Sequence, residues 1–448
     1  MDRIGEVVVA ESCLVTPSTE TPRRALWLSP LDLFYANRGH IPLVSFYRPS
    51  CSGATDFFDV TRLKTALSKA LVPFYPLAGR LDVGQDSRLQ INCDGQGALF
   101  LVAHTSSLTV EDLSDFKPSP ELRRLLVPHL NSAEAAPIIC AIQGGLSEQP
   151  VNTPICVVHR CGGVAIGAAL HHLAVDGNAA SYFFRAWTAF CKDGERAVVD
   201  LPCHDRALLS AREPPVVRPD ALSILCPSLN LSEASGPVAT EVFLLGKDHV
   251  SALKRICGGA TTFCAVSAHM WRCMCLARRL LPGSTTRLVF PANVRRSLNP
   301  PLLDRYFGNA VIILATAGKT QDIIAPGGLA SVAGRIRGLI GRMDDEVVRS
   351  AVDQLELAKI DGRPARGSLP ATDLRVISWL GMPLYDMDFR WGKPVAALRV
   401  ESNYGGFVHL MDASPQDGGG VRVIVCAEAA ILSDFKRLLY ANLQHSVL

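Results

Sequence analysis

Apolar residues recur along this chain with two different periods, and the switches between them mark out its elements. Alternation or short continuous apolar runs predict strands at Val7 to Leu14, Val164 to Leu170 and Val238 to Leu245. Asp59 to Leu71 instead carries Val60, Leu63, Ala66, Leu67, Ala70 and Leu71 at helical spacing, with Asp59 placed to cap the helix and Pro73 to end it. Cys156 to His159, a turn at Cys161-Gly162-Gly163 and the Val164 run read as a strand-turn-strand unit that delivers the chain into His171-His172. After Gly177 the period becomes helical, with Ala180, Phe183, Phe184 and Trp187 on one side. Further helices are expected from Asp248 to Cys257 and from Thr262 to Leu280. Gln416-Asp417-Gly418-Gly419-Gly420 lies between two valine-rich stretches and reads as a hairpin turn. No Gly-Lys-Ser or Gly-Lys-Thr follows any glycine cluster, which argues against a triphosphate loop.

Between Lys192 and Pro227 the pattern dissolves into Pro, Arg, Asp and Ser, including Glu213-Pro214-Pro215-Val216-Val217-Arg218-Pro219, as expected of a surface connector. A chain of 448 residues exceeds the size at which one core keeps growing. We therefore expect an N-terminal domain over 1–191, a crossover linker over 192–227 and a C-terminal domain over 228–448. A hydrophobic content of 48% against 19% charged residues suits a large buried core. The net charge of +3, without any Lys/Arg cluster, argues against nucleic acid as a partner. Two acidic residues among the first six rule against a secretory signal, and no apolar run approaches the about 20 residues of a membrane helix. The expectation is a cytoplasmic protein with no membrane partner. Its 14 cysteines are scattered and expected to be reduced; Cys273 and Cys275, two apart on a helix, point to different faces, so no metal site is expected. No symmetric interface motif is visible, and a monomer is the default.

The candidate chemistry is concentrated in His171-His172-Leu173-Ala174-Val175-Asp176-Gly177. A histidine where a strand gives way to a turn is held at an element end, and a neutral imidazole accepts a proton, so His172 is suited to be a general base. The alternative is a hydrogen-bonded core histidine with no chemical role. Asp176 could orient the imidazole as the third member of a triad, or turn away toward an arginine that locks the loop; we favour the structural role, with Arg295 as its partner. No Gly-x-Ser-x-Gly elbow and no papain-like cysteine signature is present, so a covalent route lacks its nucleophile. A His-x-x-x-Asp pattern alone arises by chance in roughly one of every few chains of this length. Its weight comes from a second block far downstream, Asp388-Phe389-Arg390-Trp391-Gly392.

Together these two blocks resemble the plant BAHD acyl-CoA-dependent acyltransferase family, and the match covers essentially the full length. Tyr75-Pro76-Leu77-Ala78-Gly79-Arg80, Ala268-His269-Met270-Trp271-Arg272, and Val294-Arg295-Arg296-Ser297-Leu298-Asn299-Pro300-Pro301 leading to Tyr306-Phe307-Gly308-Asn309 add to the resemblance. Glu20-Thr21-Pro22 with Leu26-Trp27, Phe46-Tyr47-Arg48-Pro49, and Ser378-Trp379 followed by Pro383 look most like the hydroxycinnamoyltransferase branch. The resemblance implies an α/β fold of two chloramphenicol-acetyltransferase-like domains, each a mixed sheet with flanking helices, with a channel between them. It implies acyl-CoA as co-substrate with no bound cofactor, His172 as general base, and Asp388 to Gly392 as a structural turn remote from the reacting atoms. Trp379 is the candidate donor to the tetrahedral oxyanion.

The acceptor is addressed by departures from the family pattern. His40, Ile41, Phe263, Ile377 and Trp379 fall at the implied acceptor positions, and relatives that use shikimate or quinate carry hydroxyl side chains at those matching Ile41, Phe263 and Ile377. Each hydrogen-bond partner removed costs on the order of 1 kcal/mol or more, so a polyol should bind poorly here. The expected reaction is therefore hydroxycinnamoyl transfer to an amine, such as putrescine, agmatine, spermidine or tyramine. O-acylation of shikimate, quinate or another alcohol is the alternative. Two others are a condensation-type domain fed by a carrier protein and a non-catalytic binder of acyl-CoA or a phenolic ligand; the late Asp388 block disfavours the first and the intact His172 the second. Arg390 stands where relatives usually carry glycine, so a positive φ there would be strained by about 1 kcal/mol; the alternatives are that the turn simply tolerates a side chain or that Arg390 meets a phosphate of CoA.

Overall fold

A computed structural model describes residues 7–48, 57–104, 117–128, 138–146, 163–226, 229–233, 236–358, 367–400, 404–441 and 443. Its strands are β1 (Val8–Val15), β2 (Arg24–Trp27), β3 (His40–Tyr47), β4 (Arg80–Val83), β5 (Leu89–Cys93), β6 (Ala98–His104), β7 (Cys140–Leu146) and β8 (Val164–His171), followed by β9 (Val238–Leu245), β10 (Thr285–Asn293), β11 (Val311–Lys319), β12 (Asp373–Ser378), β13 (Ala396–Arg399), β14 (Phe407–Asp412) and β15 (Val421–Glu428). They form two six-stranded mixed sheets, β1-β6-β7-β8-β3-β13 and β11-β10-β12-β14-β15-β9, and a small antiparallel sheet, β2-β5-β4. The expected mixed α/β class is what these residues build.

Contacts divide the chain into two units. The first holds Met1–Leu208, Leu303–Asn309 and Met382–Glu401; the second holds Leu209–Leu302, Ala310–Gly381 and Ser402–Leu448. The sequence reading drew each domain as one continuous stretch, whereas the first unit takes two returns from the C-terminal half. One of them is β13, which pairs antiparallel with β3 and closes the edge of the first sheet. No composition break marks that exchange.

Within the first unit, the helices are α1 (Pro30–Leu33), α2 (Val60–Ala70), α3 (Pro120–Leu126) and α4 (Gly177–Asp193). Helix α2 begins where the sequence places its cap: the Asp59 carboxylate accepts the Arg62 N–H at 2.9 Å, and Leu63, Ala66, Leu67 and Ala70 are buried. Trp187 of α4 donates its indole N–H to the Leu63 carbonyl at 3.0 Å and ties the two helices together. Leu122, Leu125 and Leu126 of α3 pack on the other side of the sheet, over Val44, Phe46, Ala165, Ala169, Ala396 and Leu398. The end of α3 comes so close to β8 that a Cβ on Gly167 would sit 1.7 Å from the Leu126 carbonyl oxygen, so only glycine permits this packing. The expected strand over Cys156 to His159 and most of the turn after it lie outside the described residues.

The second unit is built around its own sheet, with the apolar helix Thr262–Ala277 buried along most of its length. That helix stops at Ala277, short of the expected Leu280, because Arg279 adopts a positive φ of 51°. Trp271 donates to Thr286 Oγ1 at 2.9 Å, and Cys273 and Cys275 are buried free thiols. Gln416 to Gly420 turns the chain between the antiparallel strands β14 and β15. Among the described residues, no helix is long and apolar enough to cross a membrane.

Candidate active site

Strand pairing sorts the candidate residues of the first unit onto two faces. His40 lies opposite His171 and Ile41 opposite Leu170 in the β3–β8 ladder, and Arg399 of β13 lies opposite Leu43. Side chains directly opposite one another share a face, and the faces alternate along a strand. His40 and His171 therefore stand on the α3 face, where their rings meet edge-on at 4.8 Å. Ile41, Leu170 and Arg399 stand on the other, and His172, two residues past Leu170, continues that row.

Both α3-face histidines have assigned hydrogen-bonding roles. His40 Nε2 donates to the Ile138 carbonyl at 2.6 Å. His171 Nδ1 accepts the Leu173 N–H at 3.3 Å, and burial with the neighbouring His40 and His172 pushes its pKa down to about 3. His171 is thus locked neutral and structural.

Just past β8, every polar backbone group from His172 through Ala174 has a partner. The His172 N–H donates to the Gly39 carbonyl at 2.9 Å, and the Leu173 N–H is taken by His171 Nδ1. The Ala174 N–H closes a turn onto the His171 carbonyl at 2.9 Å. On the acceptor side, Asn309 Nδ2 donates to the His172 carbonyl at 2.9 Å and to the Leu173 carbonyl at 3.1 Å, while Arg206 Nη2 donates to the Ala174 carbonyl at 2.9 Å. A turn so fully paired has little freedom to move.

The imidazole of His172 stacks flat on Tyr35, with ring centres 3.9 Å apart and planes 8° off parallel. Its Nδ1 is buried with no side-chain partner, while the residue as a whole keeps some exposure. Burial pushes its pKa down to about 4; its own backbone carbonyl and Asp176 oppose that shift, and Arg399 and Arg38 add to it. An unperturbed histidine titrates near 6.5; His172 lies well below that because of its burial and the two guanidinium groups, none of which the sequence shows.

Asp176 is the N-cap of α4: its carboxylate accepts the Ala179 N–H at 2.8 Å and makes no hydrogen bond to His172 Nδ1. Among the described residues of the first unit, then, no carboxylate is hydrogen-bonded to His172 Nδ1 as in a triad relay. Arg295, Phe263, Ile377 and Trp379 belong to the second unit. Arg295 is buried, and its backbone N–H meets Asn293 Oδ1 at 3.0 Å. Phe263 packs edge-on to Phe290, and Ile377 of β12 lies beside His409 of β14. Trp379, just past β12, donates its backbone N–H to the Leu410 carbonyl at 2.7 Å.

Asp388 to Gly392 lies in the first unit as a turn held by its own aspartate. Asp388 Oδ1 accepts the N–H groups of Arg390 and Gly392, each at 2.9 Å, and Oδ2 meets Lys192 Nζ at 3.2 Å. Burial works to raise the Asp388 pKa, but the Gly392 N–H, the Lys192 ammonium and the Arg390 N–H hold it below the usual value. Phe389 packs edge-on against Trp187 at 4.6 Å, and Trp391 lies among Tyr47, Phe57, Phe58 and Phe389. This turn braces α4 far along the helix from its Asp176 cap. Arg390 has a φ of 83°, in the region where glycine is at ease.

Sequence reasoning did not single out Asp32 and Arg206, and it valued Asn309 only as part of a resemblance. Ser29-Pro30-Leu31-Asp32 carried a readable signal: Ser29 and Asp32 form a capping box around α1. Arg206 carried none, since it sits inside the stretch read as a surface connector, yet it is almost fully buried.

Comparison with known proteins adds four findings. The Transferase family model matches residues 6–441. Putrescine hydroxycinnamoyltransferase 1 of Oryza sativa subsp. japonica is 40% identical, over 98% of this chain and 99% of that protein. A hydroxycinnamoyl-CoA:5-hydroxyanthranilate N-hydroxycinnamoyltransferase of Avena sativa is 34% identical, over 97% of this chain and 99% of that protein. Among solved structures, vinorine synthase has a similar fold, with a TM-score of 0.75 at 24% identity, covering 97% of this chain and 98% of that one.

Proposed function

The chain belongs to the Transferase family, the plant BAHD acyl-CoA-dependent acyltransferases, and from that premise we propose that it moves a hydroxycinnamoyl group from coenzyme A to an amine. The amine class is putrescine, agmatine, spermidine or an arylalkylamine. The observation that carries the reading is the placement of His172: an imidazole stacked on Tyr35 at the start of a fully paired turn, with Nδ1 buried, so that we take Nε2 as the basic atom. The acceptor nitrogen attacks the thioester carbonyl carbon and a tetrahedral oxyanion forms. Nε2 takes the proton that the nitrogen sheds. The carbon–sulfur bond then breaks as the carbonyl re-forms, and the leaving thiolate receives the proton that His172 holds.

An amine acceptor is supported in two ways. Taken one by one, Ile41, Phe263 and Ile377 offer no hydroxyl or amide, and a polyol that loses several partners is poorly bound. Two relatives over nearly the whole chain carry names that specify amine acceptors. The test is a competition: coumaroyl-CoA is incubated with shikimate, quinate, putrescine, agmatine, spermidine, tyramine and tryptamine together, and the products are identified by mass. Amides should dominate. Esters of shikimate or quinate as the main products would replace this reading with O-acylation.

A further inference from the structure

The Asp32 carboxylate collects donors from across the first unit. Oδ2 accepts the Ser29 N–H at 3.0 Å and the Ser29 hydroxyl at 2.7 Å. Oδ1 accepts Arg206 Nη1 at 2.6 Å, the Asn309 N–H at 2.9 Å and Asn309 Nδ2 at 3.0 Å. Asp32, Arg206 and Asn309 are all fully or almost fully buried. The outer ends of the two donors carry the turn: Asn309 Nδ2 reaches the carbonyls of His172 and Leu173, and Arg206 Nη2 reaches that of Ala174. All neighbours of Asn309 Nδ2 are acceptors, which assigns the orientation of its amide. The stretch Tyr306 to Asn309 is shaped around this arrangement. A Cβ on Gly308 would lie 2.1 Å from Arg206 Nη1, and the Arg206 guanidinium lies 5.9 Å over the Tyr306 ring.

We propose that Asp32, Arg206 and Asn309 form a positioning clamp that aims the His172 imidazole for proton transfer, with Asn309 as its acting member. None of the three is a catalytic residue; they act through the backbone that carries the base. A carboxylate anchored by the Ser29 box orients an arginine and an asparagine from distant parts of the chain, and those two hold the carbonyls of the turn. A general base displaced by about 1 Å can lose on the order of a hundredfold in rate, so the clamp should be read in kcat. The inference rests on the proposed role of His172, and its test separates the two.

The test compares wild type with Asn309→Asp, Asn309→Ala, Arg206→Lys and His172→Ala, each first checked for native circular dichroism at the assay temperature. Asn309→Asp keeps the shape but turns an acceptor toward two carbonyls and the Asp32 carboxylate. Both Asn309 variants should lose at least about tenfold in kcat, with the KM for coumaroyl-CoA changed by no more than about threefold. Arg206→Lys keeps the charge beside Asp32 and should lose less. Independently of turnover, the rate at which diethylpyrocarbonate modifies His172, mapped by peptide mass, should change in the Asn309 variants relative to wild type. Folded Asn309 variants with wild-type kcat and an unchanged modification rate would overturn the clamp. If the Asn309 variants fail to fold, Arg206→Lys decides, and wild-type kcat in that variant would overturn it. If His172→Ala retains full turnover, the role of His172 fails, while the modification rate still tests the clamp.

Discussion

Because burial pushes His172 down to about 4, the imidazole stays neutral across the whole range in which the enzyme is easily assayed, and the pH profile should report the acceptor instead. The perturbation is pH itself, from 5 to 9, at saturating coumaroyl-CoA and limiting acceptor. An ordinary histidine, with a pKa near 6.5, would be half protonated at that pH and would bend the profile there. With the pKa moved to about 4, the protonated share at pH 6.5 falls well below 1%. An aliphatic amine, with a pKa near 10, gains about tenfold in its reactive free form for each pH unit between 7 and 9. For putrescine or tyramine, log kcat/KM should therefore rise with a slope near one over that interval. For an alcohol acceptor it should stay flat from about 6 to 9. Release of coenzyme A thiol, corrected for background thioester hydrolysis, is the assay. A flat amine profile would refute attack by the free aliphatic amine as the limiting event. A bend near 6.5 with an alcohol would refute the desolvated imidazole.

Other expectations concern stability. Gly308→Ala forces Arg206 off Asp32 and leaves a buried carboxylate short of its partner, so it should destabilise the protein by about 3–5 kcal/mol; an unchanged melting temperature would contradict the packing. Arg390→Gly relieves a φ of 83° and should stabilise by up to about 1 kcal/mol, whereas Arg390→Ala should not; a glycine variant less stable than the alanine variant would count against strain. Asp388, held below the usual carboxylate pKa, contributes stability that is present above about pH 4 and is lost as pH falls through its lowered native value. The melting-temperature gap between wild type and Asp388→Asn should accordingly narrow on acidification, and a gap constant from pH 6 to 3 would argue that the carboxylate charge does nothing there.

The parts of this molecule governed by local rules were legible in the sequence. The cap and stripe of α2 and the bounds of β9 follow from side-chain period and helix-end chemistry, which act within a few residues. The turn after β8 was legible because it needs a strand end at His171 and a helix cap at Asp176, both local demands. What stayed hidden depends on residues brought together from far apart. Arg206 resembled the solvated arginines around it, and nothing near it announces a carboxylate 174 positions earlier. The return of β13 to the first sheet leaves no trace in composition. The lowered pKa of His172 was hidden for the same reason, since its burial, and after it the nearness of Arg399 and Arg38, arise only through the fold.

The most direct test of the account is the turnover of His172→Ala with coumaroyl-CoA and the acceptor that the wild type uses, followed by thiol release near neutral pH. The account predicts a loss on the order of a hundredfold or more in kcat with the protein still folded. A folded variant that turns over within a few-fold of wild type would contradict it.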